Sequence, residues 1–88
     1  MISVTEHAKQ VLKSILIDME AGLDKGLRLL PSPNGEFVLA LDILRSADQV
    51  VEYEGLKVLL IGVEYFRFLN GKTIDCEETE NGEVLLVR

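Results

Sequence analysis

The hydrophobic period of this chain changes once, from 3.6 to 2, and the change comes at Gly22. Before it, Ala8, Val11, Leu12, Ile15, Leu16 and Met19 recur at the spacing that lines one side of a helix. Lys9, Lys13, Asp18 and Glu20 fall mostly on the other side. Thr5 can cap the first turn through its hydroxyl, and Glu6 sets an anion where the helix dipole favours one. Gly22 is suited to the left-handed position that ends a helix. The spacing predicts a helix over residues 5–21.

Beyond Gly22 the segments are short and alternating. Leu27–Leu30 reads as a strand, and Ser32-Pro33-Asn34-Gly35 as a type I turn with Pro second and Gly last. Glu36–Ile43 follows as a strand, with Phe37, Leu39, Leu41 and Ile43 on one face and Val38, Ala40 and Asp42 on the other. Arg45 to Gln49 is a polar loop. Val50–Tyr53 and Leu56–Ile61 flank Glu54-Gly55 as a hairpin. Val63–Leu69 fits either state; Tyr65, Phe66, Phe68 and Leu69 would cover a short helix that Asn70-Gly71 would end. Thr73–Glu78 and Glu83–Val87 are joined through Asn81-Gly82, a strong hairpin signal. No repeat, low-complexity tract or linker interrupts residues 1–88, which read as a single domain. One helix and about six short strands would be buried as an antiparallel or mixed sandwich, or a flattened barrel, with the helix on one face or end.

The charge balance narrows the function classes. A net charge of −6, a pI of about 4.6 and nine scattered basic residues argue against binding a phosphate backbone. A single cysteine excludes an internal disulfide framework. The start, MISVTEHAKQ, has no basic segment followed by an apolar one, and no apolar run approaches the ~20 residues that span a bilayer. A soluble, cytoplasmic protein without nucleic-acid or membrane partners is expected.

No phosphate loop, dinucleotide fingerprint or nucleophile elbow is present. His7 could ligate a metal or act as a base, but it has no second His or Cys near it in sequence and reads as a solvent-facing helix residue. Cys76 shares a strand face with Ile74. Asp75, Glu77 and Glu78 around it favour the neutral thiol, so it reads as a small buried hydrophobe. Asp75, Glu77, Glu78, Glu80 and Glu83 could attract a hard cation, yet their spacing matches no calcium loop; a solvated edge hairpin that resists pairing is the plainer reading. Tyr65, Phe66 and Phe68 read as core, with a partner-binding patch as the alternative. A carboxylate-based enzyme would need a cleft and split pKa values, which no sequence shows.

The order of segments, "ISVTEHAKQVLKSIL", "GLRL", "FVLALD", "YEGLKVLL" and "FLNGKTID", resembles the HesB/IscA-like family of A-type iron–sulfur carriers. The resemblance runs from about Ile2 to Val87, and Phe68 to Asp75 carries most of it. It implies a mainly β fold with one N-terminal helix: a mixed sandwich or pseudobarrel of about six short strands plus a short second helix. In that family three cysteines hold iron or a cluster. One lies in the loop after the "GLRL" strand and two in a C-terminal Cys-Gly-Cys tail. Here the loop reads "LPSPNGE", and the sequence stops at Arg88, before such a tail. No family site residue carries over, so catalytic, cofactor and metal residues are all set to none. The expectation is a cysteine-less, non-catalytic relative that acts on a protein partner, as an accessory in iron–sulfur or sulfur metabolism, with a homodimer left open. The alternative is an iron or cluster carrier using Cys76 and carboxylates across a dimer.

Overall fold

The computed structural model describes residues 2–33, 36–80 and 82–88. In chain order the elements are β1 (Ser3–Val4), α1 (Glu6–Asp18), β2 (Lys25–Pro31), β3 (Phe37–Ile43), β4 (Gln49–Tyr53) and β5 (Leu56–Ile61). A 3-10 turn over Val63–Tyr65 runs into the single-turn helix α2 (Phe66–Leu69), and β6 (Thr73–Thr79) and β7 (Gly82–Val87) close the fold. Val63–Leu69 is therefore helical, and Gly71 leaves it at φ +81°.

The strands form two mixed sheets, ordered β1-β6-β7 and β3-β2-β5-β4. β1 runs parallel to β6 and β2 parallel to β5, while the other neighbours are antiparallel. Between the sheets and α1 lies one apolar core, built on Leu12, Leu16, Leu27, Leu29, Leu59, Ile61, Leu69 and Ile74. Alternation explains the selection. Leu27 and Leu29 point inward from β2, opposite Leu41 and Leu39 of β3, and Arg28 between them points to the outer face. Gly26 allows β2 to lie close to β5, because a Cβ there would meet the carbonyl oxygen of Lys57 at 2.6 Å. The β4–β5 hairpin turns on Glu54 and Gly55, at φ +51° and +81°, the two positive angles of the turn that matches strand twist.

Helix α1 begins as expected, with the Thr5 hydroxyl accepting from Ala8 N–H at 3.1 Å. It ends earlier than Gly22 suggests. Glu20 N–H bonds the Ile17 carbonyl, Ala21 N–H bonds the Leu16 carbonyl, and Glu20 itself takes φ +53°. This is the Schellman closure with glutamate in the glycine position. Ala21, packed against the core, anchors it. Met19 consequently falls past the helix and is exposed rather than part of its buried face.

Other bounds move by a residue or two. β2 extends to Lys25–Pro31, and Gln49 belongs to β4 rather than to the loop before it. Of the expected turn Ser32-Pro33-Asn34-Gly35, Asn34 and Gly35 lie outside the described residues. Ser32 N–H bonds the Glu36 carbonyl at 2.7 Å across that loop. Asn81 also lies outside them; the β6–β7 ladder closes at Thr79 and Gly82, the latter at φ +105°.

Candidate functional site

The two segments that frame the expected ligand positions meet in one groove. Glu36 and Phe37, at the end of the β2–β3 loop, line it together with the last residues of β7. The groove measures about 500 Å³. Val84, Leu85, Leu86 and Val87 form one wall; Phe68, Leu69 and Lys72, from α2 and the turn after it, form another. Apart from Glu36 and Lys72 its lining is apolar, and it holds no sulfur. Phe68 is 71% exposed, which corrects its assignment to the core; Tyr65 and Phe66 are half-buried against the core as expected. The reason is length. One turn of helix can turn only part of its surface inward, and Leu69 takes the inward position at 1% exposure.

Cys76 faces away from solvent on the inner side of β6, opposite Leu85 of β7. Burial pushes its thiol up to about 11, and the charges of Glu83 and Asp75 add to the shift. Soft metals and clusters are held by thiolates, so a protonated thiol turned into the core is a poor ligand. Among the described residues, no three His, Cys, Asp or Glu side chains converge on a common point that could hold a metal ion. The donor set here does not fit an iron–sulfur cluster.

No family model and no curated protein matches the sequence. Solved structures do match the fold. A protein from Aquifex aeolicus, determined in solution by NMR, superposes with a TM-score of 0.74 over 99% of this chain and 89% of that one, at 23% identity. The crystal structure of IscA with the [2Fe-2S] cluster gives 0.68, at 19% identity, over 100% of this chain and 84% of that one. Escherichia coli SufA, involved in biosynthesis of iron–sulfur clusters, gives 0.69 at 18% identity, over 98% and 82% of the two chains. The fold is IscA-like.

Within this IscA-like fold the most elaborate polar arrangement is one the sequence reading passed over. Arg28, 4% exposed, lies on the outer face of the four-stranded sheet opposite Ala40 and the fully buried Leu60. Its Nε donates to Asp42 at 2.7 Å, its two terminal nitrogens to the Asp48 carboxylate at 3.0 and 2.6 Å, and one of them also to the Ile43 carbonyl at 3.0 Å. Asp48 also accepts from Arg45 N–H, and Arg45 reaches Asp42 at 3.0 Å. The Arg28 guanidinium holds the Asp48 carboxyl below its ordinary range against the cost of burial. Asp42 is lowered first by the Ile43 N–H and then by Arg28. An arginine between two inward leucines was the available signal, because a strand buried on both faces must answer such a charge. All three guanidinium nitrogens of Arg28 are bonded within the protein, so the cluster reads as a structural tie between β2 and the loop before β4.

A second polar link joins the helix to the three-stranded sheet. The Thr5 hydroxyl donates to Asp75 at 2.6 Å, Cys76 N–H donates to the same oxygen at 2.8 Å, and Arg88 meets the other oxygen at 3.3 Å. These contacts lower Asp75, the Thr5 bond most of all. Asp75 is thereby removed from the acidic set expected around the last hairpin. His7 sits exposed on the first turn of α1, beside a shallow hollow that also includes Glu83.

Proposed function

We propose that the chain is a non-catalytic, IscA-like protein that acts by contact with a protein partner, as an accessory in iron–sulfur or sulfur metabolism. One observation carries the reading: the groove between the β2–β3 loop and the end of β7 is lined mainly by apolar side chains, with Glu36 and Lys72 the charged exceptions, and by no thiol. The resemblance to A-type carriers puts a ligating cysteine in that loop. An apolar groove with an exposed aromatic at its rim suits a partner side chain better than it suits iron. The structural neighbours include IscA with a [2Fe-2S] cluster and SufA, a protein involved in biosynthesis of iron–sulfur clusters, which supports the metabolic setting.

The test has two arms. Anaerobic titration with ferrous iron and sulfide, followed by visible absorption, is expected to give no protein-bound cluster bands. Bands that vanish in Cys76→Ser would instead establish a carrier with substitute ligands. Deletion of the gene is expected to lower iron–sulfur enzyme activities; unchanged activities would remove the accessory role.

A further inference from the structure

We infer that the free edge of β7 receives an extended strand from a partner protein, apolar at alternate positions and basic at the end lying beside Glu83. The inference rests on the protein-contact reading above and names the chemistry of that contact. It begins with a geometrical point. Val84, Leu85, Leu86 and Val87 all line the groove. Side chains alternate along a strand, so four consecutive residues can share one groove only if it follows the backbone edge.

The ladder fixes what that edge presents. Thr73 and Arg88 exchange both backbone hydrogen bonds, at 2.8 and 2.9 Å. In the register of β6 and β7, the next bonded pairs are then Asp75 with Leu86 and Glu77 with Val84. The N–H and C=O of Leu85 and Val87 therefore point away from β6. No strand of the described chain lies there, because β7 ends the sheet. Natural edges are usually blunted by charge, proline or a bulge. This one runs Val-Leu-Leu-Val uninterrupted, and Phe68 stands exposed across from it. An added strand would satisfy the open backbone groups and set alternate side chains against Phe68 and Phe37.

Charge sets the composition and direction of the occupant. Glu78 and Glu83 are directly opposed across the β6–β7 ladder, and Glu77 and Glu80 are near them in sequence. Among the described residues no ion pair involves any of these four glutamates. Lys72 lines the groove on its other wall. A lysine or arginine at the hairpin end of the incoming strand would relieve the opposed glutamates. A second copy of this chain would bring no such relief, since it also carries a net charge of −6.

The experiment selects phage-displayed random peptides of about twelve residues, long enough to span a strand, on the intact protein. Selected peptides are expected to alternate apolar residues and carry Lys or Arg at one end. On binding they should protect the Leu85 and Val87 amides from hydrogen exchange. N-methylation of alternate peptide amides should weaken binding by at least about tenfold. Phe68→Ala and Glu83→Lys, both at exposed side chains, should each weaken it severalfold, and Leu85→Pro should abolish it while sparing the bonds to β6. Should Leu85→Pro fail to fold, the two exposed-site variants decide. Overturning results are an empty selection, peptides with helical apolar spacing, indifference to N-methylation, or a dimer in sedimentation that Leu85→Pro dissolves. Peptide binding at this edge with iron–sulfur enzymes untouched by deletion would keep the docking site and discard the metabolic role.

Discussion

On the outer face of the four-stranded sheet, Arg28 is met by Asp42, Asp48 and the Ile43 carbonyl, and each of its three nitrogens is bonded. At the hairpin of the three-stranded sheet, Glu78 faces Glu83 and no cation of the described chain pairs with either. Both places concentrate charge in a small fold. The first completes its own electrostatics and so fixes the loop before β4 to β2. The second leaves a deficit at the edge of a groove. A domain with little apolar core to spare keeps a like-charge pair only at some cost, so the contrast separates charge used for stability from charge available to a partner.

Breaking the first region should give the largest effect. Arg28→Ala leaves Asp48, whose side chain is 3% exposed, without its counter-ion. Removing one partner of a buried pair costs roughly 3–5 kcal/mol, to be read from urea midpoints. For scale, Leu12→Ala removes a fully buried helix side chain and should cost about 2–5 kcal/mol. Unchanged midpoints would show that the helix face is not core.

The same region predicts an acid response. Asp48 and Asp42 have folded values below their ordinary ones, so their contribution is complete above the ordinary carboxylate range. It is lost as the pH falls through the lowered values. Urea midpoints should hold from about pH 7 to about pH 5 and drop below about pH 4. Asp48→Asn should start lower and drop less.

Thr5→Ala tests the link between helix and hairpin. It removes the cap on Ala8 and the bond to Asp75, for a loss of about 1 kcal/mol. The smallest effect has the opposite sign. Glu83→Lys replaces an opposed like charge with a pair and should raise stability by roughly 0.2–1 kcal/mol. The variant that gains stability is the one expected to lose the peptide, which makes it the sharpest test of the contrast.

Much of the fold was legible because its signals are local. Thr5 announced the helix start, alternation drew the strands, and Glu54-Gly55 set a tight hairpin. The helix end was misread because glycine is only the cheapest left-handed residue; Glu20 takes that position once Ala21 is held on the core. Pairings between distant segments left no such mark. Nothing in residues 25–31 states that β2 lies parallel to β5, and Arg28 finds Asp48 across 20 positions. The groove was legible only in part. Alternation says which side chains face inward, but not which strand edge lacks a neighbour, and Phe68 looked like core until its single-turn helix was placed.

Ser3 aligns with Thr73 on one side of β6, and Arg88 aligns with Thr73 on the other. Residues 3 and 88 are therefore about two strand spacings apart, roughly 10 Å, on either flank of one residue. A linker of about five residues could join them, and new ends could be opened at the Glu54-Gly55 turn. In the native order, β1 reaches β6 only after the chain between them has closed a long loop, which slows folding. In the permuted order the same contact becomes local. Cutting at Glu54-Gly55, however, places β4 and β5 at opposite ends, so their ladder becomes the most distant pairing, and the rearranged chain should reach the same structure more slowly, with the β7 edge still free.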